Sequence, residues 1–182
     1  SHFTTWGRQA RMVRLALDTG HDRVFGVEET TALVVDRAAN TAEVIGLNGV
    51  SVLDVGQAEV SGAEGRTVDG VRWTYLVAGD KIGLAGLDVA EGGSPLVRAG
   101  DGPAPITDVW DSIDGPGNVY SLRNLARDLV TSTATRATGT TYETDPQFTT
   151  TVSFDGATSA WDGKDDAGIG FENLEVRIAP TE

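Results

Sequence analysis

The chain has 182 residues, 40% of them hydrophobic, with no cysteine and a formal net charge of −13. That is enough chain for one domain with a proper core. The acidity argues against nucleic acid or an anionic membrane surface as a partner, since both reward clustered Lys and Arg, and the lack of Cys excludes a disulfide framework or a thiolate site.

In chain order, residues 4–18 read as an amphipathic helix. Met12, Leu15 and Ala16 repeat at helical spacing, and Val13 and Leu17 widen the stripe. Thr4 or Thr5 is the expected cap, and Asp18-Thr19-Gly20 the stop. Residues 1–25 hold four arginines against Asp18 and Asp22, so the acid excess lies downstream. Residues 24–88 read as short strands and tight turns, with "ALVVD" (32–36), "AEVIG" (42–46), "VSVLD" (50–54) and "RWTYLVAG" (72–79) as the β-rich runs. Residues 89–117 are rich in Gly, Pro and Asp and are expected to form a surface excursion. A second helix fits 118–133, where Leu122, Leu125, Ala126 and Leu129 share a face and Asn118 is the candidate cap. The Thr- and Gly-rich end predicts strands at 147–154 and 171–179. No apolar stretch approaches the roughly 20 residues needed to span a bilayer. Taken alone, the pattern is α+β with more strand than helix.

Three blocks in order, "SHFTTWGRQARM" (1–12), "FGVEETTALVV" (25–35) and "AEVIGLNGVSVLD" (42–54), resemble the cyanophycinase-like serine peptidases, a family that includes the aspartyl dipeptidases. In that family His-Phe leads into a Gly-Arg-x-Gly-Arg-Leu helix. A Gly-Ile-Asp-Glu-x-Thr-Ala strand start follows, then a Val-Ile-Gly…Val strand pair. "GVRWTYLVAGDKIGL" (70–84) is similar to the next strand of longer, secreted-type members. The resemblance implies a flavodoxin-like three-layer α/β sandwich. Residues 1–88 would be the C-terminal part of the peptidase domain. Residues 89–182 would be a β-rich extension with one helix, packed on the same domain. Likeness to secreted members implies an extracellular or cell-envelope location, and the family chemistry needs no cofactor.

The family's catalytic histidine aligns with His2. There the imidazole takes the proton of a serine hydroxyl as it attacks a carbonyl, then returns it to the leaving amine. The family carries that serine in a Gly-x-Ser-Ala-Gly elbow upstream of the histidine, and this sequence holds no Gly-x-Ser-x-Gly. The nucleophile is therefore expected on an N-terminal chain of the same precursor, cut before Ser1, or on a preceding part of one longer chain. A sharper alternative makes Ser1 itself an N-terminal nucleophile, activated by its own α-amine.

Phe3, Trp6, Arg8 and Arg11 fall in the same motif and are the candidate substrate contacts. Arg8 and Arg11 lie three residues apart on one helix face, and a guanidinium fork could grip a substrate carboxylate. Trp6 stands where the family has arginine, which points away from cyanophycin itself as substrate. Glu29 matches the family acid and is expected to orient His2 or bind a cationic group. Glu28, next to it, is expected to point the opposite way, and Thr31 to shape the turn. His21 and Arg14 read as structural.

Two histidines 19 residues apart without Cys make no zinc site. "DGKDDAGIG" (162–170) lacks the EF-hand pattern and reads as a solvated acidic turn. The reading is thus a subunit of a serine peptidase acting on peptide or isopeptide bonds beside aspartyl residues, with homo-oligomerisation left open. The alternative is a non-catalytic β-rich binding module, for example for glycans, using Trp73, Trp110 and Trp161 as a platform. Tryptophans scattered through a β-rich chain are more often core.

Overall fold

The computed structural model describes residues 2–182. Ser1, and with it the N-terminal-nucleophile reading, lies outside the described residues. The elements run α1 (Gln9–Thr19), β1 (Arg23–Val27), β2 (Thr31–Asp36), β3 (Thr41–Gly46), β4 (Val50–Asp54), β5 (Glu59–Ser61), β6 (Thr67–Leu76), β7 (Lys81–Gly83), β8 (Val89–Glu91) and β9 (Ser94–Pro95). After these come α2 (Ser121–Thr131), β10 (Arg136–Thr140), β11 (Phe148–Ser153), β12 (Ser159–Asp162) and β13 (Ile169–Pro180).

The strands form two sheets. A nine-stranded sheet has the path β1-β4-β6-β13-β11-β10, with β5 on β6, β12 on β13 and β9 on β12. A four-stranded sheet runs β2-β3-β7-β8. Period-2 alternation explains the layering. On β4 and β6, Leu53, Val71, Trp73 and Tyr75 face a core shared with Val13 and Ala16 of α1 and with Leu122, Leu125 and Leu129 of α2. Their neighbours Val50, Val52 and Leu76 face the other way, onto Ala42, Val44 and Ile82 of the small sheet. The two helices cover one face of the large sheet and the small sheet covers the other. Val50 and Val52 turn to one core and Leu53 to the other, so β4 is buried on both faces and even its Ser51 is buried.

This corrects the flavodoxin-like expectation. The chain is mostly β, with 39% strand and 16% helix in two sheets, and every pairing between named strands is antiparallel. A doubly wound sheet needs parallel strands joined by crossover helices. Here α1 precedes the first strand and α2 bridges β9 to β10, so neither helix links adjacent parallel strands. The large sheet also joins residues on both sides of position 88, because β13 pairs with β6.

Local chemistry sets the element ends. Gly20 closes α1 in the left-handed region at φ 68°, as its sequence predicts. The helix starts later than residue 4, because Thr4 and Thr5 give their hydrogen bonds to Glu28. The amide of Ser121 at the start of α2 goes to Asp111, 3.2 Å from either carboxylate oxygen, and the Ser121 hydroxyl adds a 2.5 Å bond to Asp111 Oδ1. Asn118 is not the cap. Residues 89–117 are anchored more firmly than a surface excursion: Val109 and Asp108 are buried, and Ile106 bridges to Gly139. Between β6 and β7, buried Asp80 accepts the Val77 amide at 2.8 Å and the Trp161 indole N–H at 3.0 Å, tying the turn to β12.

Candidate functional site

The segment before α1 folds back over the end of β1. Phe3 is buried in the large core. An added Cβ on Gly26 would stand 2.1 Å from the Phe3 ring, so only glycine allows the ring to lie there. Phe3 therefore packs against the strand inside the core. Next along the chain, the Thr4 amide donates to Glu28 Oε1 at 2.5 Å and the Thr5 hydroxyl to Glu28 Oε2 at 3.3 Å. Glu28 is only 2% exposed. It staples the N-terminal segment to the β1–β2 corner, a use that strand alternation alone does not reveal. The Thr4 and Ser51 hydroxyls lie 3.3 Å apart, and Ser51 also accepts the Trp73 indole N–H at 3.1 Å.

With the segment fixed, His2 reaches Glu29. Its Nε2 lies 2.8 Å from Glu29 Oε1, and both side chains are about two-fifths exposed, at 40% and 44%. His2 holds φ 60°, in the left-handed region, as do several turn residues of this chain such as Thr30 and Asn40. Its Nδ1 is closed to solvent and finds no hydrogen-bond partner among the described residues. The ring of Trp6 stands edge-on to the imidazole at 5.8 Å.

The corner that carries Glu29 is hydrogen-bonded throughout. The Glu29 carbonyl accepts from the Thr30 hydroxyl at 2.6 Å, the Thr31 hydroxyl at 3.1 Å and the Asn48 side-chain amide at 3.0 Å. Thr31 in turn accepts the Asn48 backbone N–H at 3.1 Å. The carboxylate is thus presented from a rigid turn.

Trp6, Arg8 and Arg11 line one open groove of about 510 Å³, together with Asp111, Ser112 and Glu143. Both arginines are exposed. The carboxylates of Asp111 and Glu143 in the same lining give the groove a mixed charge. Asp111 has its pKa raised by burial, opposed by its bonds to Ser121. Arg14 pairs with Asp18 at 2.9 Å, and His21 Nδ1 lies 3.0 Å from the Thr19 hydroxyl just past the helix end.

Among the described residues no group of three or more His, Asp or Glu side chains could hold a metal ion, and no helix is long and apolar enough to cross a membrane. Trp73 and Trp161 lie in the two cores and Trp110 is half-buried, so the three tryptophans form no exposed platform. A further polar group that the sequence reading did not single out, Asn48, Tyr75, Arg123 and Arg127, lines a separate cavity of about 170 Å³. Its one legible signal was the i, i+4 spacing of Arg123 and Arg127 on α2.

What the His2–Glu29 pair can do chemically is hold an imidazole in one tautomer and move a proton through its other nitrogen. It lacks a nucleophile: no hydroxyl bonds to Nδ1 among the described residues. No known family model matches the chain, and no solved structure matches it.

Proposed function

We propose that this chain supplies the histidine and carboxylate of a serine-type hydrolase. The substrate bonds are peptide or isopeptide bonds beside aspartyl residues, and the nucleophilic serine is carried by polypeptide outside these residues, as in the cyanophycinase-like peptidases the motif resembles. The observation that carries the reading is the 2.8 Å contact between His2 Nε2 and Glu29 Oε1.

A carboxylate on one ring nitrogen sets the tautomer. The neutral ring donates from Nε2 to Glu29, which leaves the Nδ1 lone pair as the base. As the serine Oγ–carbonyl bond forms, the hydroxyl proton passes to Nδ1 and Glu29 stabilises the imidazolium. That proton then goes to the leaving nitrogen as the C–N bond breaks, and water repeats the cycle on the acyl-enzyme. The closed surface at Nδ1 means that the nucleophile-bearing segment docks by displacing part of its cover. Trp6, half exposed and edge-on to the ring, is the neighbour such docking would move. The glycan-module alternative has less support, because its tryptophans are taken up in packing.

The test is to isolate the chain from its native source with whatever remains bound and assay an aspartyl peptide. The expected result is a partner polypeptide with a Gly-x-Ser-x-Gly elbow, and turnover that falls by a factor on the order of 10⁴ in His2→Ala. Unchanged turnover in His2→Ala, or bound material lacking that elbow, would sink the reading.

A further inference from the structure

The 170 Å³ cavity adjoins the corner that presents Glu29. Asn48, which binds the Glu29 carbonyl, is part of its wall, and the charge of Glu28 bears on Tyr75 in the same wall. Arg123 and Arg127 enter from α2 one turn apart. Among the described residues no Asp or Glu lines this cavity, unlike the groove of Arg8 and Arg11. Like charges at i, i+4 repel, so their convergence costs the fold something unless an anion sits between them. Arg123 stacks over the Tyr120 ring at 3.8 Å and bonds Asn124 Oδ1 at 3.3 Å. Arg127 contacts its exposed neighbour Asp128 at 3.2 Å, a surface pair of the kind worth little.

The other polar groups suit the same ligand. Tyr75 is buried, and burial raises its hydroxyl above the ordinary tyrosine pKa while the Arg123 guanidinium works in the opposite direction. It stays a neutral hydroxyl able to donate at neutral pH. A side chain on Gly49 would come within 2.7 Å of that hydroxyl, so glycine leaves it room. The Asn48 side-chain amide is spent on the Glu29 carbonyl at 3.0 Å and the Thr30 hydroxyl at 3.2 Å, so the donors are the two guanidinium forks and the phenol, and an acceptor-only planar anion satisfies them. The volume lies below the roughly 300–1,000 Å³ of drug-sized pockets and matches one acidic side chain or chain end.

The geometry points to a carboxylate-binding subsite, built by Arg123, Arg127 and Tyr75 with Asn48 in its wall, that takes an aspartyl side chain or free C-terminus of an acidic peptide beside the His2–Glu29 pair. Its role in turnover rests on the hydrolase reading, whereas binding itself does not. Two guanidinium forks are more selective for a carboxylate than for its amide because the amide's NH₂ would face donors.

Titrating the full chain with N-acetylaspartate and with N-acetylasparagine, followed by the Arg side-chain and Asn48 side-chain NMR signals, tests this without a nucleophile. Saturable shifts with the acid, at least about tenfold weaker with the amide, are expected for a charge-assisted contact. Arg123→Met and Arg127→Met should each weaken the acid about tenfold, and Arg136→Met, on β10, should leave it unchanged. N-acetylglycine, which offers only a chain-end carboxylate, against N-acetylaspartate amide, which offers only the side chain, identifies the source. Equal binding of acid and amide to the unaltered chain, or inorganic phosphate binding as tightly as the acid, overturns the assignment whether or not the variants fold. His2→Ala should bind as the parent does, so loss of hydrolysis with binding intact separates the two proposals.

Discussion

Asp80 lets the cost of one buried carboxylate be worked out directly. It is fully buried between the β6–β7 turn and Trp161. Burial is the largest influence and raises its pKa from 3.8 to about 6, against the lowering effects of the Val77 and Trp161 hydrogen bonds and the nearby charge of Lys164. A raised acid binds its proton more tightly in the folded than in the unfolded chain. Below pH 3.8 both states hold the proton and there is no cost. As pH climbs from 3.8 to about 6 the unfolded chain releases its proton while the folded chain still holds it, and stability falls. Above that window the full penalty persists, about 3 kcal/mol at 1.36 kcal/mol per pH unit.

Asp80→Asn removes this pH dependence and adds a fixed cost. One carboxamide oxygen must serve both donors, and a poorly satisfied donor costs about 1–3 kcal/mol. At about pH 4 the parent should therefore be the more stable by roughly that amount, while near pH 7 the two should be close or the variant ahead. Urea unfolding followed by tryptophan fluorescence across this range measures the difference. A difference that stays flat with pH would refute the reasoning, because no other group changes between the two chains.

Three further outcomes follow from the site. Glu28→Ala leaves the buried Thr4 amide without its acceptor and should cost about 1–3 kcal/mol, with fast hydrogen exchange at Thr4 as the local marker. Gly26→Ala should expel the Phe3 ring and destabilise by about 1–3 kcal/mol through overpacking, with limited proteolysis reporting cuts next to Phe3. Arg8→Met and Arg11→Met, at exposed positions, should lower kcat/KM for an aspartyl peptide by about two- to fivefold, the value of a surface charge contact of 0.2–1 kcal/mol. A loss well beyond that, absent for the asparaginyl peptide, would place the carboxylate in their groove instead.

The parts of this fold legible in the sequence are those governed by neighbours along the chain. The runs at 32–36, 42–46 and 50–54, both helices and the Gly20 stop follow from periodicity and turn chemistry, and the strands expected at 147–154 and 171–179 match β11 and β13 closely. The architecture was not legible, because it depends on which strand lies beside which. Motif likeness suggested parallel pairing, whereas the pairing of β13 with β6 joins segments about a hundred residues apart. At the site, the motif suggested two uses for Glu29, orienting His2 or binding a cationic group, and the 2.8 Å contact with His2 is compatible with the first. The uses of Glu28, of Asp111 as a remote helix cap and of Arg123 depend on partners brought in by the tertiary fold, and no local spacing encodes them.

The position of β13 has a consequence for how the chain reaches its native state. It lies between β6 and β11, and the Arg72 guanidinium reaches across to the Asn173 carbonyl, 101 positions away. Until that strand arrives, β6 presents an open ladder on one side and β11 lacks its partner on the side away from β10. Such non-local closure is slow, and the waiting edges are ready templates for pairing with other chains. Rapid overproduction should therefore favour aggregation over folding, and removing β13 should leave two halves that associate with other molecules more readily than with each other.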